Sequence, residues 1–154
     1  MKNKIIIRAT ELFLSLGFKS VTMDDLAQSM GISKKTIYQF FKNKDQLIRS
    51  CTRSIQTKLV EEFNEIRKNA GNPIIELFQV KKEVMKILGN TETAPQFQLQ
   101  KFYPEIYKEL KDREFELVGK NLQESLERGI NSGYFRKEIN IDFNNIVTLL
   151  YFDL

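Results

Sequence analysis

Apolar residues return every three or four positions along nearly the whole chain, and no stretch alternates them every second position. That period belongs to the α-helix, so the chain is constrained to fold as helices packed on helices. Ile5, Ile6, Ala9, Leu12, Phe13 and Leu16 mark one face of a first helix, and Gly17 is expected to stop it in the left-handed conformation. Thr22 with Asp25 has capping-box spacing and opens a short second helix, whose apolar face is Met23, Leu26, Ala27 and Met30 and whose end is Gly31. Ser33 caps a third helix, expected over 34–41. Asn43 with Gln46 resembles a further capping box, and the helix it opens holds its period to about Lys68. AGNP at 70–73 breaks that helix. A fifth is expected over 74–88, then a loop over 89–96, a short helix to Phe102 and a long one from Pro104 to Gly129–Gly133. An eighth is expected to begin near Ile141, and it is still strongly apolar where the sequence stops at Leu154. The fold class is therefore all-α.

The 154 residues are 42% apolar, enough for a real core, and their 29% charged residues are finely mixed, as in folded chains. There is no histidine and one cysteine, Cys51. Neither a Ser-His-Asp nor a Cys-His arrangement is possible, and one chain cannot build a Cys/His zinc site or an internal disulfide. No phosphate-binding loop or paired-carboxylate motif is visible, so an enzyme is not expected, nor is a cofactor. The first residues, MKNKIIIRATELFLSLG, begin like a signal peptide, but Arg8 and Glu11 interrupt the apolar run. The longest apolar stretch, Ile146 to Phe152, is too short to span a membrane. The expectation is a soluble, cytoplasmic protein with no membrane partner.

Charge is unevenly placed. Residues 1–50 carry nine Lys/Arg against four Asp/Glu, whereas the remainder carries fifteen against sixteen. A basic first third points to a polyanion. The segment GISKKTIYQFFKNKDQL narrows the choice. At about 100° per residue, Ile37, Phe40 and Phe41 fall on one side of the third helix. Lys35 and Gln39 centre the other side, Thr36 and Tyr38 flank them, and Lys34 lies at the boundary. Lys and Gln reach base edges, and Thr and Tyr hydroxyls suit phosphates or thymine edges. Helix, glycine-containing turn, helix is the helix-turn-helix arrangement, whose second helix enters the major groove of double-stranded DNA. Thr22, Ser33, Lys34, Lys35, Thr36, Tyr38, Gln39 and Lys44 are the expected DNA-binding residues, with Thr22, Lys34 and Lys44 mainly on phosphates. Binding without sequence choice, as by an architectural protein, is the alternative at this point.

The segment TMDDLAQSMGISKKTIYQFFKNKDQLI resembles the DNA-binding segment of the tetracycline-repressor (TetR) family. The residues that carry the likeness are Thr22, Asp24, Asp25, Ala27, Gly31, Ser33, Tyr38, Phe40, Phe41, Lys42, Lys44 and Leu47, together with Ala9, Leu12, Phe13 and Gly17–Phe18 in the first helix. The likeness is close over about residues 4–50; beyond them only the succession of helices agrees. Lys35 stands where the family often has glycine or alanine. The resemblance implies a helix-turn-helix domain over 1–46, followed by a helical regulatory and dimerisation domain over 47–154. It implies a ligand-responsive transcriptional regulator, most often a repressor, acting as a homodimer on a palindromic operator.

Under that reading the effector is expected to be small and mostly apolar, because residues 51–130 are near neutral and rich in Phe, Tyr and Met. Phe63, Phe78, Met85, Phe97, Phe102, Tyr103, Tyr107 and Phe115 are the candidate lining residues, with ordinary core packing as the competing reading of each. Phe143, Ile146, Val147, Leu149, Leu150, Tyr151 and Phe152 are the expected dimer contacts. The family usually ends in two dimerising helices, and Leu154 falls inside what resembles the first, so a truncated chain is also expected.

Overall fold

The computed structural model describes the backbone of residues 1–88 and 94–139, and the side chains of all of these except 84–88 and 94. Seven helices are present among the described residues: α1 Lys2–Leu16, α2 Met23–Met30, α3 Lys34–Tyr38, α4 Lys44–Asn69, α5 Pro73–Leu88, α6 Ala94–Phe102 and α7 Pro104–Asn131. The helix expected near Ile141 and the expected dimer contacts from Phe143 to Phe152 lie outside the described residues. No helix among those described is long and apolar enough to cross a membrane.

The local signals act largely as their chemistry requires. Thr22 and Asp25 make the full reciprocal capping box at the start of α2. Gly31 ends that helix at φ 63°, ψ 30°, in the left-handed region that glycine enters without strain. Ile32 N–H then bonds back to Ala27 O at 3.1 Å, which makes the turn into α3 tight. Asn43 caps α4 through Gln46 N–H at 2.8 Å, but Gln46 Oε1 accepts from Lys42 N–H rather than from Asn43, so the reciprocal bond is displaced by one residue.

Two expectations need correction. Gly17 has φ 91° but ψ 152°, outside the left-handed helical region. Its missing Cβ leaves room for the Gln98 amide, whose Oε1 accepts from Lys19 N–H at 2.9 Å. The third helix is also shorter than 34–41. It ends at Tyr38, and the N–H groups of Phe40 and Phe41 both converge on Ile37 O at 3.0 and 3.1 Å. One carbonyl serving two successive donors closes the helix and turns the chain toward α4.

The chain divides into two compact units. The first holds Met1–Thr57 with the segment that ends at Lys111. Its core takes Ile5, Ala9 and Phe13 from α1, Leu26 and Ala27 from α2, Ile37 from α3, and Leu47, Ile48 and Cys51 from α4, closed by Leu99, Ile106 and Leu110. Phe13 and Phe18 stack with ring centroids 5.1 Å apart. Complete burial of each large apolar side chain contributes about 1.5–3 kcal/mol, and this anchors the short α3, which has too few residues to stand alone. Burial pushes the Cys51 thiol up to about 11, so it packs as a small apolar group rather than a thiolate nucleophile.

The second unit holds residues from Lys58 onward on α4, α5, and α7 from Asp112. Leu59, Phe63, Val80, Val118 and Leu122 form its core. Beside them lies Glu76, 4% exposed, whose Oε1 accepts from Ser125 Oγ at 2.6 Å and from Arg128 at 2.5 Å, with the Arg67 guanidinium at 3.4 Å. Arg67 also reaches Asn121 Oδ1 at 3.1 Å and Glu124 at 3.0 Å. One carboxylate thus ties α4, α5 and α7 together.

Candidate nucleic-acid interface

The α2–turn–α3 element presents two different faces. Ile37 and Phe41 are buried and Phe40 half-buried, all three packed into the first core. Lys35, Tyr38 and Gln39 are exposed and Thr36 is partly so, the arrangement expected of a reading face. Tyr38 is 44% exposed, a large ring left in water on a unit with ample core to receive it. Lys35, Tyr38 and Gln39 make no side-chain hydrogen bond or ion pair to any described residue. Their donors and acceptors are therefore available to a partner.

The other expected contacts are more occupied. Thr22 Oγ1 donates to Asp25 Oδ2 at 2.7 Å and accepts from Asp25 N–H at 3.1 Å, so its hydroxyl is committed to the cap. The two hydrogen bonds from Thr22 hold the Asp25 carboxyl below its ordinary value, which keeps an anion at the positive end of α2. Ser33 Oγ accepts from Thr36 N–H at 3.1 Å and lies 2.8 Å from Thr36 Oγ1. Lys34 donates to Asp24 Oδ2 at 2.7 Å, a link between α2 and α3, and that bond raises its pKa. Lys44 turns inward. Its ammonium donates to Lys19 O at 3.2 Å and stands 5.8 Å from both the Phe13 and Tyr103 ring centroids. Burial lowers its pKa, opposed by Asp45 and Asp25. Asp24 is named in the sequence only for the family likeness and not as the partner of Lys34, although an acid in the first turn of α2, ten residues before a lysine on α3, is the signal for that pair.

The eight candidate effector residues are divided between the two units. Phe63 is core, and Phe78 and Phe115 of the same unit are 72% and 37% exposed. The side chain of Met85 is outside those described. In the first unit Tyr103 and Tyr107 pack against the core, and Phe97 and Phe102 lie at the surface. The Lys19 ammonium sits 4.0 Å from the Phe102 centroid. An open groove of about 550 Å³ runs along the second unit, lined by Lys58, Glu61, Glu62, Glu65, Ile66 and Glu83. Its walls carry four carboxylates and none of the eight candidates.

The sequence profile of the bacterial regulatory proteins of the tetR family matches residues 5–51, the span from α1 to the start of α4. The chain is 38% identical over 72 residues to the uncharacterized HTH-type transcriptional regulator YhgD of Bacillus subtilis, covering 47% of this chain and 36% of that protein. It is 26% identical over 165 residues to IcaR of Staphylococcus aureus, the HTH-type negative transcriptional regulator of the biofilm operon icaADBC, covering 97% and 79% of the two chains. Among solved structures, a TetR/AcrR-family transcriptional regulator from Thermobifida fusca superposes with a TM-score of 0.67 at 26% identity, covering 97% and 79%.

Residues 5–51 carry the DNA-binding domain of the TetR family.

A likeness of fold extends beyond this domain. FadR of Bacillus subtilis, solved in complex with stearoyl-CoA, superposes with a TM-score of 0.71 over 98% of this chain and 81% of that one; at 20% identity the match speaks for the fold. The family profile covers every expected DNA-binding residue from Thr22 to Lys44 and none of the expected effector residues.

Proposed function

We propose that this chain is a transcriptional repressor that reads a palindromic duplex through α3, as a homodimer, and releases it when a small, mostly apolar effector binds. The observation that carries the reading is the exposed row of Lys35, Thr36, Tyr38 and Gln39 on a helix whose opposite side, Ile37, is completely buried. Lys35 and Gln39 take the base edges; Thr22, Ser33, Lys34 and Lys44 border the backbone contacts. A negative regulator aligned over 97% of the chain supports repression. Residues 1–46 serve as the reading domain and 47–154 as the regulatory one. A five-residue helix reads few bases, which favours a second copy set one DNA turn away, about 34–36 Å. The exposed Phe78 and Phe115 supply apolar surface for an effector, and a regulator of the same fold holds stearoyl-CoA.

Sequencing the genomic DNA that the full chain retains tests the reading. One recurrent palindrome is expected; uniform recovery would leave a sequence-nonselective architectural protein instead. Among apolar acids and acyl compounds, those that raise the melting temperature are expected to release the recovered duplex. Stabilisation with DNA affinity unchanged would remove the regulatory coupling.

A further inference from the structure

Helix α1 has two well-separated faces. Ile5, Ala9 and Phe13 are buried in the first core. At about 100° per residue, Lys4, Ile7, Glu11 and Leu14 fall within roughly 80° of one another on the opposite side. All four are exposed, Ile7 and Leu14 at 51% each, and Met1, one step ahead of Lys4, is exposed as well. A surface helix ordinarily turns polar residues outward, so three large apolar side chains in one outer stripe need a reason. In chain order that stripe reads apolar, cation, apolar, anion, apolar: Met1, Lys4, Ile7, Glu11, Leu14. Reversed and laid against itself, it is its own complement. Ile7 meets Ile7, Lys4 stands opposite Glu11, and Met1 stands opposite Leu14, each pair level to within about one residue of helix rise. A two-fold contact between identical chains requires a self-complementary patch of this kind, and antiparallel helices supply the reversal. Lys4 makes no ion pair with any described residue. Glu11 is held in place, because Arg8 donates to its Oε2 at 2.9 Å and is itself tied to Ser29 Oγ on α2 at 3.4 Å. Its other oxygen is left for a second cation.

We propose that the outer face of α1 is a contact surface for a second copy of this chain, the two α1 helices packing antiparallel about a two-fold axis at Ile7. The match of the stripe to its own reverse, in charge as well as in apolar positions, is what selects a second copy over a foreign partner. The second copy belongs to a neighbouring dimer, so the proposal rests on the homodimer reading above and adds a link between dimers. About five residues a side cover well under the roughly 1,200 Å² of a stable interface, so the link is of the weak, reversible class. It fills chiefly where dimers are already held side by side, as on adjacent DNA sites, where effective concentrations reach about the millimolar range.

The test is sedimentation equilibrium of the full chain without DNA, over a concentration series rising to about 1 mM. The dilute dimer is expected to double its mass reversibly toward the top of the series, and less so at high salt. Lys4→Glu and Glu11→Lys, each alone, set like charges opposite one another at both symmetric places, and each should weaken the doubling about tenfold. The two together only exchange the ends of the stripe and should restore the parental association. That double variant has the parental net charge and still lacks the Arg8–Glu11 bond, so its recovery reports the contact between copies. The melting temperature should stay parental in all three, because both side chains are exposed. Absence of doubling in the parent would overturn the proposal. So would single reversals that associate as the parent does, or a double variant no better than the singles. If the single reversals instead split the dilute dimer into monomers, α1 is the primary dimer contact and the link between dimers is overturned. A parent that is monomeric when dilute, yet doubles with the same reversal pattern, would refute the homodimer reading and the link with it, leaving α1 as a self-contact between monomers.

Discussion

Glu76→Ala is expected to destabilise the second unit by about 3 kcal/mol, the lower end of the range for breaking a buried ion pair from one side. The side chain of Glu76 is 5% exposed, and its Oε1 is the shared acceptor of Ser125, Arg128 and Arg67. Removing it leaves the Ser125 hydroxyl with only Asn121 O and Arg128, and takes the shared anion from two guanidiniums. The value sits at the low end because Arg67 and Arg128 are 28% and 38% exposed, and Arg67 keeps Glu124 and Asn121. Against a typical total of about 5–15 kcal/mol, such a loss is large. Urea unfolding followed by circular dichroism measures it. A change below about 1 kcal/mol would mean that the network contributes little beyond what water supplies to the separated groups.

The same group sets an acid dependence. Burial alone would raise the Glu76 pKa, but the Ser125 hydroxyl and the Arg128 and Arg67 guanidiniums outweigh it and hold the carboxyl below its ordinary 4.5. A carboxyl with a depressed folded value contributes its stability above the unfolded value and loses it as pH falls through the folded one. The gap between parent and Glu76→Ala should therefore be full at neutral pH and close progressively below about pH 4.5.

Much of this fold is legible in the sequence because its determinants are local. Thr22 with Asp25, Ser33 and Gly31 act over two to five residues, and each does in the structure what its chemistry requires. The two faces of α3 follow from angular spacing alone, so the buried Ile37 and exposed Gln39 could be placed without coordinates. Position along the helix was harder: Phe40 and Phe41 fit the period yet lie past its end, because a shared Ile37 carbonyl closes it. Periodicity also says which face is apolar without saying what covers it. Phe78, read from the sequence as an effector-lining or core residue, is 72% exposed. Partners distant in sequence were the least legible. Lys44 reaches back 25 residues to Lys19 O, and Glu76 reaches forward 49 and 52 residues to Ser125 and Arg128. No spacing rule links such positions, and only the packed helices bring them together.

The second large effect concerns DNA. Lys35 on α3 and Gln39 at its C-cap are exposed with no partner among the described residues, and neither supports the core, so removing both should alter recognition without altering folding. A good base contact is worth about 1–3 kcal/mol of discrimination. Two such contacts together correspond to about 2–6 kcal/mol, or roughly thirty-fold to twenty-thousand-fold in affinity for each half-site. Binding to random duplex should fall far less, because phosphate contacts dominate it. The decisive measurement is the affinity of Lys35→Ala, Gln39→Ala for the recovered duplex and for random duplex at one fixed salt concentration. A collapse of the ratio between the two toward unity, with the melting temperature of the parent, is the expected result. A variant that keeps the parental ratio would show that α3 does not read the bases.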